Sequence, residues 1–141
     1  MVNTSTFVSD IILFIRDYLR SSLVDPISRS SGNVKYVFTS FPKSNTEYPL
    51  VTIKNTNIQT RKLGMQTETN WVDIRIEIRA WSRNSKEADV MTQDIIDAMR
   101  TANYGTNSTV DNSIFGFRLE NCNTIVEGEQ ENTIYSKALT F

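Results

Sequence analysis

The chain has 141 residues, of which 39% are hydrophobic and 22% charged, and its formal net charge is −1. That length fits one domain whose core needs neither metal nor disulfide, and those fractions exclude wholesale disorder. The near-neutral charge excludes a polycation that wraps nucleic acid by counterion release, although a local basic patch stays open.

The first residues lack the basic stretch of a secretory signal, and the apolar run that follows is broken by Asp10, Arg16 and Asp17, so it is neither a signal nor a membrane span. It reads instead as an amphipathic helix capped by Thr6 or Ser9 and running to about Leu23. Val8, Ile11, Ile12, Ile15, Leu19 and Leu23 recur at helical spacing, widened by Phe7, Phe14 and Tyr18. Asp25 before Pro26 stops the helix, because the residue preceding proline disfavours helical backbone. A polar loop over 28–33 leads to a short strand over 34–38. A turn over 41–47 precedes a strand over 50–54, whose β-branched residues suit a pleated surface. The polar segment 59–70, with one glycine, reads as the long loop of a β-hairpin.

Residues 71–81 give the clearest strand. Val72, Ile74, Ile76, Ile78 and Ala80 alternate with Trp71, Asp73, Arg75, Glu77, Arg79 and Trp81, so one face is apolar and the other charged. Ser85 reads as the cap of a second helix over 86–102, with Ala88, Met91, Ile95, Met99 and Ala102 as its buried stripe. A polar loop over 106–113 follows. A strand over 115–119, extendable to 125, comes next, then an acidic turn over 127–132 and a closing strand over 134–141. The order helix, two strands, long strand, helix, two strands predicts an α+β domain spanning 1–141: an antiparallel sheet with two amphipathic helices on one face.

The residue inventory leaves little room for catalysis. There is no histidine and a single cysteine, Cys122. Ser-His-Asp and Cys-His chemistry are therefore absent, as are zinc sites of the Cys₂His₂ or Cys₄ type. No glycine-rich phosphate loop occurs, and no cofactor or metal is expected. Cys122 reads as an inert, partly buried side chain. Glu127, Glu129 and Glu131 read as a solvated acidic turn, a cation site being the sharper alternative. Asp73 and Glu77 read as a salt-paired surface and not a catalytic dyad. Trp71 and Trp81 on the charged face mark either a protein contact or packing under a nearby loop.

The apolar-striped first helix, the strand Tyr48, Pro49, Leu50, Val51, Thr52, Ile53, and the long strand passing through Ser82, Arg83, Asn84 and Ser85 into Ala88, Asp89, Val90 and Met91 resemble the tail terminators of long-tailed bacteriophages. The likeness covers most of the chain and departs over 101–113 and at the acidic turn. It implies a non-enzymatic virion protein of the tail or neck, assembled in the host cytoplasm. Copies would form a ring, usually a hexamer, on the last ring of tail tube protein, meet the head-side connector, and let DNA pass through the lumen. Arg61, Lys62, Glu68, Trp71, Asp73, Arg75, Glu77, Arg79 and Trp81 would then face the ring interface or the lumen. The alternatives are another neck component (a head-closure, connector or minor tail protein) and, from a different class, a small soluble ligand-binding domain or enzyme.

Overall fold

Alternation along the long strand sets the two faces of the sheet. In the computed structural model, which describes residues 7–30, 32–42, 47–62, 70–104, 118–127 and 134–141, this strand is β3 (Asn70–Ser82). The other elements are α1 (Phe7–Ser22), a 3₁₀ turn (Gly32–Lys35), β1 (Val37–Phe38), β2 (Leu50–Lys62), α2 (Ser85–Tyr104), β4 (Asn121–Glu127) and β5 (Ile134–Thr140). The strands form one sheet in the order β1-β2-β3-β5-β4. Every pairing is antiparallel except β1 with β2. The expected α+β class and element order hold.

Both helices lie on one face. Ile15, Leu19 and Leu23 of the α1 stripe and Met91, Ile95 and Met99 of α2 share a single buried cluster with Val51, Ile53, Ile76, Ile78 and Leu139. α1 packs on β1 and β2, and α2 on β3 and β5. Each such side chain taken from water contributes about 1.5–3 kcal/mol, which offsets the ordering of two helices that would not persist alone. Tyr18 joins the helices by donating its hydroxyl to the carbonyl of Ala98 at 2.6 Å.

The cap of α2 is Asn84 and not the expected Ser85. Asn84 Oδ1 accepts from the amides of Lys86 (2.9 Å) and Glu87 (3.4 Å). Glu87 in turn accepts from the buried Ser82 hydroxyl at 2.5 Å, and that hydroxyl accepts from the Asn84 amide at 3.1 Å. The end of β3 and the start of α2 are thus one hydrogen-bonded corner.

Three expected boundaries move. The strand predicted over 34–38 is only Val37–Phe38, because Gly32–Lys35 winds into the 3₁₀ turn from a Gly32 at φ +63°, where glycine is unstrained. The strand predicted over 50–54 runs on to Lys62, so Gln59, Thr60, Arg61 and Lys62 are paired backbone and not loop. The strand predicted from 115 lies later, at Asn121–Glu127, and Arg118, Leu119 and Glu120 are not strand. The polar loop over 106–113, Phe115, and the acidic turn beyond Glu127 fall outside the described residues.

The turn after α1 is held by a pair that the sequence reading passed over. Arg29 Nη1 meets Asp25 Oδ1 at 2.9 Å, and the two side chains are only 8% and 5% exposed. The Asp25 carboxylate also accepts from the amides of Ile27 and Arg29. Arg29 Nη2 donates to the carbonyls of Glu47 (2.5 Å) and Pro49 (2.6 Å), clamping this turn to the start of β2. The Arg29 guanidinium also lies over the Tyr36 ring. Burial, reinforced by Asp25, pushes the Tyr36 phenol above its ordinary value of 10.0. The contribution of this neutral phenol is whole below pH 10. It is lost as pH rises above that value, because the unfolded chain then ionises a tyrosine that the folded chain keeps protonated. Denaturant titrations across that range should show Tyr36→Phe losing less stability with rising pH than the parent.

Candidate functional site: the open face of the sheet

The face opposite the helices carries Thr52 and Lys54 from β2, Asp73, Arg75, Glu77, Arg79 and Trp81 from β3, and Ser136, Ala138 and Thr140 from β5, as strand alternation and register require. Among the described residues no helix or strand covers it, yet Ser136 and Ala138 on its β5 side are buried, and Lys54 and Arg75 are its well-exposed charges. Phe41, which follows β1, packs on one corner.

The charged residues of this face are organised across the strands. Glu77 sits opposite Lys54 and pairs with it at 3.3 Å. The same Glu77 oxygen meets Arg79 Nη2 at 3.0 Å. Arg75 Nε reaches Glu120, ahead of β4, at 3.1 Å. Glu77 is 16% exposed and Arg79 20%, so their pair is sheltered, whereas Lys54 at 60% and Arg75 at 51% present their charge to solvent. Cations and carboxylates alternate and balance. Asp73 lies two residues from Arg75 in the same row. The expected salt-paired surface is thus present at Glu77, and nothing in the arrangement resembles two carboxylates poised over a shared substrate.

Trp81 anchors the other end of the face. Its indole Nε1 donates to Thr52 Oγ1 at 3.0 Å. The Phe41 ring stands edge-on to it at 5.1 Å, and the Arg79 guanidinium lies over it at 5.2 Å. Packing by the segment after β1, one of the two readings of this tryptophan, therefore accounts for its burial, while Phe41 itself remains 50% exposed. Arg79 Nε is buried with no hydrogen-bond partner among the described residues.

Arg61 and Lys62 end β2, and Trp71 lies near the start of β3 opposite Arg61. Glu68 lies outside the described residues, as do the side chains of Arg61, Lys62 and Trp71. The strands that carry these positions form an arm. β5 pairs with β3 only from Glu77 to Ser82, and Phe141 then exchanges both backbone hydrogen bonds with Ile76. β1 covers only Val51 and Thr52 of β2. Beyond a bulge between Asn55 and Asn57, the β2–β3 ladder continues to Lys62 and Asn70 with no other described strand beside it. At about 3.4 Å per residue the arm extends on the order of 20 Å past the helix-covered core. The site thus gathers Asp73, Arg75, Glu77, Arg79 and Trp81 on one face and sets Arg61 and Lys62 apart at the arm's end.

Cys122 is exposed on β4, contrary to the expected partial burial, because the edge strand lies beyond the reach of both helices. Between α1 and α2 an open cleft of about 360 Å³ is lined by Tyr18, Leu23, Val24, Asp94, Asp97 and Ala98. Its two carboxylates are exposed and do not converge on a buried point. Among the described residues no group of three or more potential ligands gathers as a metal site, and no helix is long and apolar enough to cross a membrane. No family model matches the chain, and no curated protein matches it.

Proposed function

We propose that the chain is a structural virion protein, a tail terminator that acts by assembly and not by catalysis. Its copies form a closed ring, a hexamer in this reading, on the end of the tail tube and present a surface to the head-side connector, with DNA passing through the lumen in transient, non-specific contact. The observation that carries this reading is the sheet face opposite the helices, which no described helix or strand covers and where Glu77 pairs with Lys54 and Arg79, and Arg75 with Glu120. Such a face suits subunit contact, because its side chains are ordered before any partner arrives. Its balanced charge suits a lumen wall as well, since affinity for phosphate grows with the number of cations that engage it. The order of elements, which is similar to that of the tail terminators, supports the same assignment.

The test is sedimentation of Arg75→Glu/Arg79→Glu. The Arg75 pair is exposed and contributes about 0–1 kcal/mol to folding, but the Arg79 pair is sheltered, so circular dichroism of the variant, and of Arg75→Glu alone, is read first to establish that each is folded. The double variant should shift from the ring to the mass of single subunits, because reversing both charges sets carboxylates against Glu77, Glu120 and any neighbour matched to the native pattern. A parent-like profile would remove this face from the contact.

A further inference from the structure

The two edges of the sheet are unlike, and among the described residues no further strand pairs with either. At one edge lies β4, seven residues long. Its segment Asn121, Cys122, Asn123, Thr124, Ile125, Val126 contains no lysine and no proline, the residues by which natural edge strands discourage pairing. Val126 is 58% exposed. At the other edge β2 runs beyond the short β1, and after its bulge residues 57–62 have a described strand on one side only. We propose that β4 of one copy pairs edge to edge with residues 57–62 of β2 in the next copy, so that the sheet runs on from subunit to subunit. This rests on the ring reading above and names the contact within it.

Backbone parity supports the match. Ile76 directs its N–H and C=O to the β5 side. By alternation Arg75 turns its own to β2, and Ile58, Thr60 and Lys62 turn theirs outward. On β4 the same alternation turns Asn123 and Ile125 toward β5 and leaves Cys122, Thr124 and Val126 facing outward. By register Ile58 on β2 and Cys122, Thr124 and Val126 on β4 carry their side chains on the helix side of the sheet. One register therefore satisfies hydrogen bonding and side-chain facing together.

Symmetry sets the direction. Rotation about a ring axis keeps the sense of every strand along that axis. β4 and β2 run in opposite senses within one sheet, so β4 meets its neighbour's β2 antiparallel, the more stable pairing. Charge agrees: acids stand at both ends of β4, Glu120 just before it and Glu127 as its last residue, and bases at both ends of the β2 segment, Lys54 ahead of it and Arg61 with Lys62 at its close. Glu120 and Lys54 also pair within their own subunit and remain 42% and 60% exposed, open to a second partner.

The sole cysteine makes the contact testable in the full chain. Pairing Cys122 with position 62 sets Thr124 against Thr60 and Val126 against Ile58. Lys62→Cys, and Thr60→Cys for a register two residues away, should on mild oxidation give a ladder of disulfide-linked species beyond the dimer, while the parent chain gives none. Dimers alone, formed equally by the parent through Cys122, would mean β4 pairing with β4 and would overturn the proposal. Chains that sediment as rings yet give no ladder with either variant would overturn edge pairing and leave the ring standing. Chains that form no ring, alone or on isolated tail tubes, would overturn both.

Discussion

Arg29→Ala should lower the folding stability by roughly 3–5 kcal/mol, a large share of the roughly 5–15 kcal/mol typical of a domain. The reason is the partner left behind. Asp25 is 5% exposed on its side chain, and its carboxylate would keep two amide donors while losing its only described cation. The carbonyls of Glu47 and Pro49 would lose the guanidinium that ties them to the turn after α1. Urea unfolding of the parent and variant checks this. The double variant Asp25→Leu/Arg29→Met should recover part of the loss, because an apolar pair leaves no uncompensated buried charge. A loss below about 1 kcal/mol in the single variant, the range of exposed pairs, would mean that the turn opens to water without consequence.

Leu19→Ala is the second large effect, expected at about 2.7–5 kcal/mol. Leu19 is fully buried and belongs to the cluster that holds α1 against Val37, Val51 and Ile53. α1 is also held by Ile15 and Leu23 in the same cluster, by the Tyr18 hydroxyl on the α2 carbonyl of Ala98, and by the Arg20 guanidinium on the carbonyls of Val34 and Val37. The cavity can therefore collapse only by moving the helix. Leu13, on the same helix but 41% exposed, is the control. Leu13→Ala should stay within about 0.5 kcal/mol of the parent, the usual range for surface substitutions. Equal effects at the two positions in thermal unfolding would contradict the packing described for α1.

What the sequence made legible is what burial imprints on it. Ile74, Ile76, Ile78 and Ala80 alternate because the helices cover one side of β3, and the stripe through Ile15, Leu19 and Leu23 exists because α1 meets the sheet along one line. Where the chain is paired but not covered, the imprint fades. Gln59, Thr60, Arg61 and Lys62 read as loop, yet they lie in a ladder whose backbone bonds ask nothing of the side chains. β4 fell only within the extension to 125 of a strand expected from 115, for the same reason: Asn121, Cys122, Asn123 and Thr124 are exposed, with neither face selecting apolar residues. Asp25 was legible as a helix stop but not as the partner of Arg29, because Arg29 is fixed beside it by the carbonyls of Glu47 and Pro49, about twenty positions along the chain. The charged face of β3 was read correctly in its composition. Its Lys54–Glu77–Arg79 order needed the cross-strand register, which a single strand does not carry.

The most direct test is the length of tail tubes assembled without this chain and with it restored. The tail-terminator assignment predicts tubes that grow past the normal length and lack a terminal ring in its absence, with length and ring both recovered on adding the parent protein. Tubes of normal, uniform length that carry an intact end without it would contradict the assignment.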